Sequence, residues 1–163
     1  MKKLTLLTIL LLPLLTLSQA IVGNDIDGEA AGDYSGYSVS IDSDGSHVAI
    51  GAYGNDGAGS DAGHVRIYSW DGSAWSQVGN DIDGEAASDY SGWSVSIDSD
   101  GSHVAIGAIY NDGAGSNAGH VRIYSWDGDA WTQIGSDIDG EAANDRLGSV
   151  SYTHLRAHET TSH

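Results

Sequence analysis

Acidic side chains at close, repeated spacing hold the densest chemistry in this sequence. Asp25-Ile26-Asp27-Gly28-Glu29 is followed by Asp33. The pattern returns as Asp81, Asp83, Glu85 and Asp89, and again as Asp137, Asp139, Glu141 and Asp145. Oxygens at alternate positions around a glycine turn, with a later carboxylate, are how a loop wraps Ca²⁺. Asp25, Asp27, Glu29 and Asp33, with Asp81, Asp83, Glu85 and Asp89, are therefore the candidate calcium ligands, and Ca²⁺ is the one cofactor considered. The run is not an EF-hand loop, because it lacks the spaced terminal glutamate and its glycine comes early. The plainer expectation is a solvated turn in which Asp and Glu cap backbone amides.

Other residue types set further expectations. Asp42-Ser43-Asp44-Gly45 and its repeat Asp98-Ser99-Asp100-Gly101 read as tight hairpin turns. His47, His64, His103 and His120 open strands, each far in sequence from a second histidine. A zinc site needs three or four converging ligands, so half-buried strand histidines are the expectation. No nucleophile elbow, phosphate loop or HExxH helix is present. Tyr37 is replaced by Trp93, and Tyr53-Gly54 by Ile109-Tyr110, between otherwise matching segments. Aromatics beside Gly-rich loops can stack on sugars or peptides, which makes Tyr37, Trp93, Tyr53 and Tyr110 the candidate ligand surface. Drift between duplicated copies is the competing reading.

The elements that must position these residues come from repetition. Val22 to Gln77 aligns with Val78 to Gln133 without a gap, and 49 of the 56 positions are identical. A third copy opens at Ile134 and holds register to Gly148. Each copy carries four strand-like segments. In the first copy these are Tyr37 to Ile41, His47 to Ala52, His64 to Trp70 and Ala74 to Val78, separated by Asp-Gly turns and one Gly-rich loop, Gly54 to Gly63. Val48 and Ile50 share one face of the second strand. Ala49 and Gly51 share the other, where another sheet can approach closely. No stretch after the leader has a helical period. The predicted fold is all-β, with four-stranded antiparallel blades of a β-propeller, present as about two and a fraction blades of an incomplete set. Copies must pack face to face, because one small sheet cannot bury both faces.

Length and composition narrow the function. The chain has 163 residues, no cysteine, and 6 Lys+Arg against 23 Asp+Glu, a net charge of −17. Such a polyanion argues strongly against nucleic acid as partner, and none is expected. The lack of Cys excludes disulfides and thiolate sites. Residues 1–20 read as a secretory signal peptide. Lys2 and Lys3 precede an apolar stretch from Leu4 to Leu17, and Ser18-Gln19-Ala20 precedes the cut. No membrane span is expected after cleavage, and the protein is expected to be secreted or held at the cell surface. The expected organisation is repeat 1 at 21–77, repeat 2 at 78–133 and the start of repeat 3 at 134–148. Residues 149–163 leave the repeat, with Ser149 to Tyr152 one position out of register and Thr153 to Thr160 without counterpart, and read as translated sequencing-adapter read-through, a disordered tail being the alternative.

Ser35-Gly36-Tyr37-Ser38-Val39, Val48-Ala49-Ile50-Gly51-Ala52 and Gly63-His64-Val65-Arg66-Ile67-Tyr68 together resemble the FG-GAP repeat of bacterial surface proteins, which is related to the β-propeller of integrin α chains. Ser91 to Ala108 and Gly119 to Tyr124 match again. Serine stands for the phenylalanine of the first signature pair, and Tyr53 and Ile109 stand for the proline of the second. In calcium-carrying FG-GAP repeats the hairpin holds three or more acids. Here only Asp42 and Asp44 precede the glycine, so that site carries over poorly. The resemblance implies a non-enzymatic module for adhesion or protein interaction at the cell surface, with an extracellular protein or glycan as partner. A lectin-like module is the alternative. A propeller glycosidase or lyase is the distant one, since near-identical blades seldom hold an asymmetric active site. Ser69-Trp70-Asp71-Gly72 with Trp75 is one residue short of a sialidase-type Asp-box.

Overall fold

The computed structural model describes residues 23–150, so the leader lies outside the described residues, as does the tail beyond Val150. The fold is all-β, built as two antiparallel sheets. The first contains β1 (Ser38–Ile41), β2 (His47–Ala52), β3 (His64–Trp70) and β4 (Trp75–Gln77) in sequential order. A fifth short strand, β5 (Ile82–Asp83), pairs with the opposite end of β3. The second sheet repeats this with β6 (Ser91–Ile97), β7 (His103–Ala108), β8 (His120–Trp126), β9 (Trp131–Gln133) and β10 (Ile138–Asp139). The sheets are thus partial propeller blades, as the repeat predicts. Among the described residues, no helix is long and apolar enough to cross a membrane.

The fifth strand is the main departure from the four-strand expectation. Chain leaving β4 stays on the edge of β3: the Val78 amide donates to Ile67 O (2.8 Å), and the Gly84 amide donates to Gly63 O (2.8 Å). Between them Val65 and His64 pair with Ile82 and Asp83. The acidic run is therefore half strand, not wholly turn.

The alternation in β2 decides how blades meet. Ala49 and Gly51 pair with Ile67 and Val65, which are fully buried. A Cβ on Gly51 would sit 2.1 Å from Gly92 O, so only glycine lets the next blade's first strand approach. Ser38 Oγ donates to Gly92 O (2.7 Å), and Ser40 Oγ accepts from the Ile97 amide (3.1 Å). Onto this small-residue face the second blade lays Val95, Ile97, Val104, Ile106 and Tyr124, forming the core with Ala49, Val65, Ile67 and Ile82. The contact repeats beyond the second blade. Ser94 Oγ donates to Gly148 O (2.7 Å), and Leu147 bridges Gly119 in parallel as Ser91 bridges Gly63.

Candidate functional site

The aromatic candidates converge across the junction of the blades. Tyr37 lies just before β1, Tyr53 just after β2, and Trp93 within β6. The Tyr53 ring is 4.6 Å from Tyr37, 4.9 Å from Trp93 and 5.3 Å from Tyr90, and it stacks on Tyr34 at 5.0 Å with 4° between planes. Tyr37 and Trp93 are 4.7 Å apart. Ile109, which replaces Tyr53 in the second copy, is buried, and Tyr110 beside it supplies the ring instead. Tyr110 lies 5.0 Å from Tyr90, and the Arg146 guanidinium caps it at 5.1 Å. A continuous belt thus runs from Tyr34 to Arg146. Such ring pairs contribute about 0.5–1.5 kcal/mol each beyond burial.

The local sequence holds this belt in place. Tyr34 (φ 55°) and Tyr90 (φ 60°) occupy the left-handed region, unusual for a bulky residue. Their turns are closed when the Tyr37 amide donates to Tyr34 O (3.0 Å) and the Trp93 amide to Tyr90 O (3.1 Å). The turns are tied to the loops after β2 and β7 by Gly54 N donating to Asp33 O and Tyr110 N to Asp89 O, each at 3.2 Å. Tyr34 and Tyr37 remain largely exposed. Burial, then the neighbouring tyrosines, raise the Tyr53 phenol above its ordinary value, so it stays a neutral hydroxyl. Sequence reasoning missed Tyr34 and Tyr90 because they do not vary between copies. Their position three residues before Tyr37 and Trp93 was the available signal.

The acidic residues sort into two roles. Asp33 and Asp89 are buried and structural. Asp33 Oδ2 accepts from the Ala30 amide (3.2 Å) and from Asn55 Nδ2 (2.9 Å), and Asp89 does the same with Ala86 (3.1 Å) and Asn111 (2.9 Å). Asp25 and Asp27 are exposed, and the Asp27 carbonyl accepts from Arg66 Nη2 (2.9 Å). Asp83 is exposed, and its carbonyl accepts from Arg122 Nη2 (2.8 Å). Loss of part of its hydration, then the Asp81 charge, raise the Asp83 carboxyl. Glu29 and Asp81 come from successive runs and meet across His64, and Glu85 meets Asp137 across His120. These mixed clusters were invisible while each run was read as one loop.

The histidines divide the same way. His64 and His120 are buried almost completely, more deeply than half-buried strand residues. Burial, with Arg122 beside it, lowers the His120 imidazole, so it is neutral at pH 7. His47 and His103 instead close the β1–β2 and β6–β7 hairpins, with Nδ1 at 2.8 Å from Asp42 Oδ2 and 2.7 Å from Asp98 Oδ2. The hairpins are wider than an Asp-Gly two-residue turn, since the Asp42 amide donates to His47 O (3.1 Å) around four intervening residues. Asp71 Oδ1 accepts from the Ser73 amide (2.7 Å) and the Ala74 amide (2.8 Å), which makes the Trp70–Trp75 connection a capped turn. Those two indoles pack 5.4 Å apart, as do Trp126 and Trp131.

Comparison with known proteins follows the same segments. No curated protein matched the chain. The FG-GAP repeat family matches residues 19–68 and 81–124, the stretches that carry β1, β2 and most of β3, then β5 to β7 and most of β8. That is more than half of the sequence, and the resemblance read from its motifs is borne out: the chain belongs to the FG-GAP repeat family.

Proposed function

We propose that this chain is a secreted, non-enzymatic propeller module that engages an extracellular protein, in adhesion or assembly at the cell surface. The observation that carries the reading is the aromatic belt across two blades, with Tyr34 and Tyr37 largely open to solvent. Tyrosine and tryptophan bury large area at low entropic cost and are enriched where protein partners dock. The surrounding acids would add charge selectivity and favour a basic patch on that partner. Immobilised full chain should retain a protein from extracellular extracts. Tyr34→Ser with Tyr37→Ser should weaken capture about tenfold or more while leaving the β-sheet spectrum unchanged. Undiminished capture by that double variant would remove the belt from the interaction.

One observation favours a glycan as a second reading. Tyr34 stacks nearly parallel on Tyr53 and is itself largely exposed, which backs one open aromatic ring of the kind that sugar rings cover. Glycan-array binding abolished by substitutions at Tyr37 and Trp93 would select this reading over protein capture.

A further inference from the structure

His120 is nine-tenths buried and more, yet its Nδ1 has no hydrogen-bond partner among the described residues. A buried polar atom left so is costly unless something else satisfies it. That atom faces Glu85 Oε2 at 3.8 Å and Asp137 Oδ2 at 3.6 Å. Both distances exceed a hydrogen bond. They come within a few tenths of an ångström of the roughly 3.3 Å edge that two ligands at about 2.0–2.1 Å from a tetrahedral ion would define. The first blade repeats the arrangement, with His64 Nδ1 at 3.9 Å from Glu29 Oε2 and 3.5 Å from Asp81 Oδ2. By contrast, His47 and His103 sit at true hydrogen-bond distance from their carboxylates, so their Nδ1 atoms are already engaged.

The carboxylates are also held from behind. Gln133 Nε2 donates to Asp137 Oδ1 (2.6 Å), leaving Oδ2 turned to His120, and Gln77 does the same for Asp81 (2.6 Å). Arg122 Nη1 lies 3.6 Å from Glu85 Oε1, and Arg66 Nη1 3.6 Å from Glu29 Oε1, the oxygens that do not face the imidazoles. Asn111 Nδ2 donates weakly to Glu85 Oε2 (3.5 Å) and Asn55 Nδ2 to Glu29 Oε2 (3.3 Å). Outer partners of this kind orient metal ligands. Glu85 and Asp137 remain partly open, so an ion can enter from solvent and keep water in its fourth position.

We propose that Glu85–His120–Asp137 and Glu29–His64–Asp81 are two equivalent zinc-type sites, each binding one divalent transition ion through an imidazole nitrogen and two carboxylate oxygens. The imidazole selects against Ca²⁺ and Mg²⁺, which take oxygen ligands. Each ion would join the acidic run before a blade to the run after it, with β3 or β8 between them.

Zn²⁺ added alone to the purified full chain, followed by equilibrium dialysis and metal analysis, tests this. Two ions per chain are expected, one in Asp137→Asn, and none in Asp81→Asn with Asp137→Asn. Millimolar Ca²⁺ should not displace them. No stoichiometric zinc, displacement by Ca²⁺, or two ions retained by the double variant would overturn the proposal. The last result would place zinc at His103 or at the tail histidines His154, His158 and His163. Because the variants themselves could fail to fold, ¹⁵N-imidazole spectra of the unaltered chain supply a second readout. Zinc should move the His64 and His120 signals, and shifts confined to other histidines would equally overturn it.

Discussion

Ser38-Val39-Ser40-Ile41 in β1 and Ser94-Val95-Ser96-Ile97 in β6 are the same four residues, and they live in different environments. Val95 and Ile97 are 0% and 8% exposed because they lie on the small-residue face of the first blade, whereas Val39 and Ile41 are 53% and 58% exposed. The same asymmetry appears at the other end, where Ile82 is 5% exposed and its counterpart Ile138 is 51% exposed. Identical sequence thus gives core or surface according to whether a neighbouring blade covers it. Burial in this fold belongs to the junction between blades and not to the blade itself.

The sharpest break in the comparison is a charge in each strand. Val95→Asp should cost about 4 kcal/mol or more, since it places an unpaired carboxylate in the core. Val39→Asp should change stability by less than about 0.5 kcal/mol. Urea unfolding of the two variants measures both.

A smaller effect separates two equivalent glycines. Gly36 (φ +84°) would meet nothing with an added Cβ, whereas Gly92 (φ +82°) would bring it to 2.4 Å from His64 O. Both alanine variants pay about 1–2 kcal/mol for the left-handed backbone. Gly92→Ala should lose about 1–3 kcal/mol more, because the blades can no longer close. Thermal melts of the pair report that difference, and equal losses would mean the blades do not approach at Gly92.

Smaller still is the contrast between hairpins. Burial alone would raise the Asp42 carboxyl, but hydrogen bonds from His47 and Ser46 outweigh it and hold the group below 3.8. Burial likewise opposes, and bonds from His103 and Ser102 likewise lower, Asp98. A folded value below the unfolded one means that this stability is complete above about pH 4. It is lost as pH falls through the lowered values. Asp42→Asn should flatten that acid limb more than Asp98→Asn, because the Asp42 side chain is 1% exposed and that of Asp98 35%. Denaturation midpoints followed from pH 6 to pH 2 in both variants check the order.

Much of this architecture was legible because the repeat forces each copy into the same local structure. The strands from His47 and His64 fall where alternation and Asp-Gly turns place them, and Gly51 foretold the close approach. β5 was hidden because Ile82-Asp83 is too short, and too acidic around it, to read as a strand. The aromatic belt was half visible: Tyr37, Tyr53, Trp93 and Tyr110 drew notice by varying, while invariant Tyr34 and Tyr90 did not. The Glu–His–Asp clusters were not legible at all. Their members come from two acidic runs and an intervening strand, and only the pairing of β5 with β3 brings Asp81 back to His64.

Methyl NMR with a soluble paramagnetic probe tests most directly the claim that one blade is buried only by the next. At dilute concentration the Val39 methyl signals should be strongly attenuated and those of Val95 left intact. Equal attenuation at the two valines, in either direction, would contradict face-to-face stacking of the repeats.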